Sequence, residues 1–458
     1  MDIFDYLVFI FYVVIFYLIL LFRQKKYDIP EIRKYYKYGF WVKVAGAFAY
    51  SLFVLNSVPG DTSYLYFPFG MNLYKIMLHD FSNLKIFFTS AANFDESFLG
   101  DVPNVGYMTS DSNFIIVKIV ALIGFLTFGK FMAINLFFSI IAFTGMWRLF
   151  LFFNEQFPKL HKGFAIALLF LPNMIFWSSG ILKDTICLGA LGWITYSTYH
   201  LFFTKDRKIK NLIALIVFGY LLFTIKIYIF LSYYPFLLLY LILKYLSIIR
   251  LNLKKVLIVS SLIATGIFIY YKSSDATEIM LSEHLTGDLI QSVMSYQESY
   301  SNLEVRAGSN FSLGVEFDGS VSSFIKMAPA AMFATLYRPF VWEAKKAAAL
   351  AASVESLFIL LFTIFVFFRV GPFKFFITII KRPVILYCLL FALAFSVFIG
   401  ATTPNFGSLV RYKTPAIPFY IISLIFILYY NNKIKSIPYK KEVDPIQNNN
   451  LLVGNDSN

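Results

Sequence analysis

Apolar runs long enough to cross a bilayer recur along almost the whole chain, and they leave it few ways to fold. A hydrocarbon core about 30 Å thick takes roughly 20 residues of helix to cross. Read on that scale, the runs predict about eleven helices, over 4–22, 40–56, 131–153, 164–179, 185–203, 211–226, 229–247, 256–271, 353–369, 384–401 and 414–430. Hydrophobic residues make up 59% of the 458 positions and charged residues 14%, too little charge to cover a water-soluble domain of this size. The 55 phenylalanines and 31 tyrosines suit lipid-facing helices and interfacial belts. The expected fold class is therefore all-α: a polytopic membrane protein with two long outer loops, 57–130 and 272–352, that carry interfacial helices.

The net charge of +14 would suit nucleic acid if it lay on one wet face. It falls instead in short clusters between apolar runs, so no nucleic-acid partner is expected. Cys187 and Cys388 lie inside apolar runs and read as packing residues. His79, His161, His200 and His284 are scattered, and no residues stand at metal-ligand spacing. The first run follows a short acidic start without a small-residue cleavage site, and reads as a retained helix rather than a signal peptide.

Loop charge sets the orientation. With the N-terminus outside, inner segments hold Lys25, Lys26, Lys34 and Lys37, then Lys205, Arg207, Lys208 and Lys210. Lys254 and Lys255, Lys381 and Arg382, and Lys433 and Lys435 follow on the same side, while most acidic residues fall outside. This holds only if NFIIVKIVALIGFLTFGK (113–130) lies on or dips into the outer surface, despite being apolar enough to span. MNLYKIMLHDFSNLKIFF (71–88) is a second interfacial candidate, with apolar residues at helical spacing. The chain divides into a first helix and basic loop (1–39), a membrane domain (40–431) and a polar, Asn-rich tail (432–458) that reads as disordered.

Four outer sites can carry chemistry. Asp61, just past the second span in NSVPGDTSYLYFPFG, is either a solvated turn residue or a base taking the proton of an acceptor hydroxyl. Gly60 beside it is expected to allow a sharp turn. In LPNMIFWSSGILKD, Lys183 and Asp184 either cap the next helix or help bind a phosphate. Arg306, Arg338 and Glu343 lie in the large loop, where an arginine fork is either a phosphate ligand or a headgroup anchor. In NFGSLVRYKTPAIPFY, Arg411, Tyr412 and Lys413 put two cations on the acidic side, as Lys226 does in FTIKIYIF. Ionisable groups near membrane depth are functional candidates.

The order of these features resembles the GT-C class of integral-membrane glycosyltransferases. GDTSYLYFPFGMNLYKIML looks like the acidic start of that class's first outer loop. NFIIVKIVALIGFLTFGKFMAINL is similar to its second surface helix, LPNMIFWSSGILKD to a later outer hairpin, and RYKTPAIPFY to the start of its closing span. The resemblance covers roughly 40–430. It implies a polyprenyl-phosphate-linked sugar donor, a glycan, lipid or protein acceptor, and contact with membrane lipid. By position, Asp61 would be the base and Arg411 and Lys413 would face the donor phosphate. The chain departs from the class in its extra leading span, in lacking a paired-carboxylate motif and in having no soluble domain. No cofactor is assigned, and a divalent cation stays open.

Two other readings compete. A polymerase or ligase of surface polysaccharide would work through arginines of the 272–352 loop, and a flippase or transporter would place ionisable groups at the bilayer midplane. The style of the sequence suggests a bacterial inner membrane, with the N-terminus outside and the C-terminus in the cytoplasm.

Overall fold

The computed structural model describes residues 2–56, 60–94, 110–204, 208–248, 310–315, 317–318, 320–344 and 347–434. Among these, every regular element is helical, and an isolated bridge joins Asn310 to Asn405. The first helices are α1 (Ile3–Gln24), α2 (Pro30–Asn56), α3 (Phe67–His79), α4 (Asp111–Thr127) and α5 (Phe131–Gln156). Then come α6 (His161–Leu169), α7 (Pro172–Trp177), α8 (Lys183–Phe203) and α9 (Lys208–Ile248). The C-terminal part holds α10 (Val321–Tyr337), α11 (Ala347–Val370), α12 (Pro372–Lys381), α13 (Pro383–Thr402), α14 (Phe406–Tyr412) and α15 (Ala416–Ile434).

Six of these, α1, α2, α5, α9, α11 and α13, are long and apolar enough to cross a membrane. A seventh is added if α14 and α15, bent by 58° to each other, are taken together. These six or seven stand where about eleven spans are expected, and the differences have local causes. The run 164–179 is not one helix: it breaks at Phe170 and Leu171, and Pro172 starts the short α7. Helix α8 covers the expected 185–203, but its run is diluted by glycine, serine and threonine. Helix α2 begins ten residues before the expected 40, taking in part of the basic loop. The expected span 256–271, most of the 272–352 loop and the tail from 435 lie outside the described residues.

The runs 211–226 and 229–247 form one continuous element, α9, that turns at Lys226, where the backbone leaves the helical region (φ −148°, ψ 79°). Before the turn, Phe218 stacks on Trp193 of α8; after it, Tyr233 hydrogen-bonds Thr195 of the same helix. Gly219 and Tyr234 line one groove. A straight helix would hold them about 22 Å apart. The two halves of α9 thus lie side by side, with Lys226 at the apex.

Without a hydrophobic drive between helices in lipid, association depends on close backbone approach. The central pair, α5 and α8, meets that need with Gly145, Gly189 and Gly192. A Cβ on Gly145 would lie 1.9 Å from the Gly189 carbonyl oxygen, and one on Gly192 would lie 1.8 Å from that of Gly145.

Helix α1 opens on a reciprocal cap between Asp2 and Asp5. Lys130, just before α5, pairs with Asp2 at 2.9 Å, so the N-terminus and the α4–α5 junction share one end of the bundle. The segment expected on the outer surface, 113–130, is α4, seventeen residues packed against α3. It ends in a left-handed turn at Phe128 and Gly129, whose positive φ suits the glycine. The second interfacial candidate divides into α3 and a 3₁₀ segment, Phe81–Phe88.

Candidate functional site

Four chain segments meet at the end of the bundle that holds Asp61, and each brings a charge. Asp61 opens a π-helical turn, Asp61–Tyr66, directly after α2. Asp184 stands in the first turn of α8, Lys226 is the apex of α9, and Arg411 lies in α14. Arg411 Nη1 donates to Asp61 Oδ2 at 2.9 Å, and its Nε donates to Asp184 Oδ2. Lys226 Nζ donates to Asp184 Oδ1. The order Asp61–Arg411–Asp184–Lys226 alternates in sign, so each carboxylate meets at least one cation.

Burial separates the two acids. The Asp184 side chain is 1% exposed and holds two cations, which is what a charge removed from water requires. The Asp61 side chain is 45% exposed and holds one. Tyr412 turns its ring to Lys226, whose Nζ lies 4.3 Å from the ring centroid. Lys183 Nζ donates to Ser112 Oγ of α4 at 2.7 Å, and among the described residues it meets no carboxylate.

A buried polar lattice fixes both acids. Thr62 Oγ1 donates to the Ile181 carbonyl at 2.9 Å and meets Tyr50 Oη at 2.8 Å, tying the turn that carries Asp61 to the loop that leads into Asp184. Ile181 N donates to Asn135 of α5 at 2.9 Å, and Thr185 Oγ1 donates to the Gly180 carbonyl at 2.7 Å. Behind that loop, Lys43 is 1% exposed and donates to Ser178 Oγ at 2.7 Å, to Ser179 Oγ at 2.8 Å and to the Ser178 carbonyl. Tyr66 Oη donates to Asn113 Oδ1 at 3.2 Å, and burial pushes its phenol well above the ordinary range, so it remains a donor.

Of the residues singled out by sequence, Asp61, Asp184, Lys226 and Arg411 come into direct contact, with Lys183 and Tyr412 at their edge. Lys413 does not join them. It is fully buried and donates to the Arg338 carbonyl at 2.9 Å and to Ser356 Oγ at 2.7 Å. Arg338 and Glu343 form a corner of their own. Arg338 Nε reaches both Glu343 oxygens at 3.0 and 3.2 Å, Nη2 donates to Oε1, and Nη1 donates to the Ser312 carbonyl at 3.3 Å. Its guanidinium lies over the rings of Phe311 and Phe406, 4.5 and 5.1 Å from their centroids. A cavity of about 390 Å³ opens beside this pair, lined by Phe333, Phe340 and Trp342. Arg306 lies outside the described residues. Gly60 needs correction: its backbone is extended (φ −133°, ψ −169°) and a Cβ would meet nothing within 4 Å, so the turn does not require glycine.

Sequence reasoning missed Lys43, Thr62 and Glu355. Lys43 stood in plain view as a cation inside the expected span 40–56, and Glu355 as an acid inside 353–369. Glu355 accepts from Asn173 N at 2.9 Å and from its Nδ2 at 3.1 Å, joining α11 to α7. Thr62 carried no signal of its own.

Among the described residues no group of three or more His, Cys, Asp or Glu is placed to hold a metal. The two acids of the site, Asp61 and Asp184, are bridged by the Arg411 guanidinium, so this pair does not fit a divalent cation. Comparison with protein-family models, curated proteins and solved structures finds no match.

Proposed function

We propose that the protein is a multi-pass membrane glycosyltransferase that moves a sugar from a polyprenyl-phosphate donor to an acceptor hydroxyl at the outer face of a bacterial inner membrane. The observation that carries this reading is the contact of Asp61 with Arg411 at the mouth of an otherwise buried charge cluster. Such chemistry needs a base at the surface and fixed cations behind it.

In the reaction, the acceptor oxygen attacks C1 of the sugar and passes its proton to Asp61. The bond from C1 to the phosphate oxygen breaks, and its electron pair leaves with polyprenyl phosphate. Arg411 and Lys183 take up the growing phosphate charge. Asp184, buried and doubly bonded, holds Arg411 and Lys226 in place. The end of the bundle that carries Asp61 is then the outer one, and the N-terminus, paired to Lys130, lies on the same side.

The polymerase or ligase reading has its own observation, the cavity beside Arg338. Against it, Arg338 has its Nε, Nη1 and Nη2 bonded within the protein, which leaves little of the fork for a substrate. A flippase would need charges free at the midplane, whereas Asp184 and Lys226 stand at a helix start and at a hairpin apex, and Lys43 inside α2 is tied to Ser178 and Ser179.

Transfer from radiolabelled polyprenyl-phosphate sugars, in membranes with matched protein levels, tests the reading. Asp61→Asn is expected to lower the rate by about 10²–10⁴, the usual worth of a general base. Full activity in Asp61→Asn with loss in Arg338→Lys would replace it with the large-loop reading.

A further inference from the structure

The base proposed above is not free. Asp61 Oδ2 accepts from Arg411 Nη1, so one carboxylate oxygen is engaged and the side chain stands where another anion on that guanidinium would bind. Arg411 has two carboxylate partners, and they differ in what can dislodge them. Asp184 is 1% exposed and is also held by Lys226, so no ligand entering from water reaches it first. Asp61, at 45% exposure, is the partner on the open side. Arg411 Nη2 makes no hydrogen bond to the described residues, so the guanidinium has a donor to spare there.

The charge balance points the same way. Lys226 and Arg411 pair with Asp61 and Asp184, and Lys183, bonded to Ser112 beside them, leaves one cation in excess. With Asp61 moved aside, the excess is two. That suits a lipid-linked phosphate, a diester in the donor and a more highly charged monoester once the sugar has left.

We infer that Asp61 is a latch on the anion site: it occupies Arg411 in the empty protein and is released as a base only when the donor phosphate takes that guanidinium. The inference rests on the glycosyltransferase reading and adds an order of events to it. Donor binds first, and the base becomes available only with the donor in place, which keeps the site idle when no sugar is ready to move.

The test is binding rather than transfer. The purified full-length protein, in phosphatidylcholine nanodiscs, is titrated with polyprenyl phosphate as wild type, as Asp61→Asn and as Asp80→Asn. Asp80 belongs to the same loop but bonds Ser82, so its variant controls for loss of a nearby negative charge alone. Asp61→Asn is expected to bind up to about fivefold tighter than wild type, the fold-change that matches an exposed ion pair. Asp80→Asn is expected to bind as wild type does. Equal or weaker binding by Asp61→Asn, or the same gain in Asp80→Asn, overturns the latch while the donor reading stands. No binding by wild type or Asp61→Asn overturns the donor reading and the latch with it.

Discussion

The charges around Asp184 come from segments as far as 350 residues apart, whereas Arg338 finds its acid five residues further along the chain. The first cluster exists only when α2, α8, α9 and α14 have all docked. The second needs little more than the turn after α10, where Glu343 also accepts from Phe340 N at 2.8 Å. A local pair can form early and brace a corner wherever the chain goes next. A cluster assembled from four helix ends stabilises one particular packing of those ends, and it has no use until they meet. The difference separates a structural corner from a candidate site more clearly than the presence of a cavity does, since a cavity lies at the local pair.

Removing Asp184 should break the distant cluster most severely. Asp184→Ala leaves Lys226 and Arg411 with no buried partner, and a buried pair broken on one side costs about 3–5 kcal/mol. Thermal unfolding in detergent is expected to report that loss, and a change under 1 kcal/mol would mean that the cluster is not a buried unit. Glu343→Gln should cost less, about 1–2 kcal/mol, because both side chains are partly exposed and the turn survives. Asp61→Asn should leave stability within about 1 kcal/mol, as expected for an exposed pair, even though it has the largest expected effect on transfer. A stability loss for Asp61→Asn as large as that for Asp184→Ala would erase the distinction between an open base and a buried anchor.

Much of this was legible before any coordinates. Apolar length located α1, α5, α11 and α13 to within a few residues at most ends, since a bilayer sets the length of what crosses it, and it found α8 and α15 as helices without making either a span by itself. Position marked Asp61, just past a span, and Asp184, in a short outer hairpin, while Lys226 and Arg411 stood out as cations on the acidic side. The division of 211–226 from 229–247 already put a turn at Lys226, but the convergence was not legible, because it also depends on the backbone contact of Gly145 with Gly189 and Gly192, which has no pattern along the chain. Position alone also misplaced Lys413: two residues from Arg411, just past the end of α14, it faces another way, into Ser356 and the Arg338 carbonyl. The break of 164–179 at Pro172 was within reach, since proline is disfavoured inside a helix and favoured at its first turn.

The central claim is that charges from distant segments act as one unit, and a double-mutant cycle tests it most directly. Unfolding free energies would be measured for wild type, Asp184→Asn, Arg411→Gln and the double variant. The account predicts a coupling of about 0.5–3 kcal/mol between the two positions, as for residues in one ion network. Additivity to within about 0.3–0.5 kcal/mol, the behaviour of sites that do not touch, would contradict it.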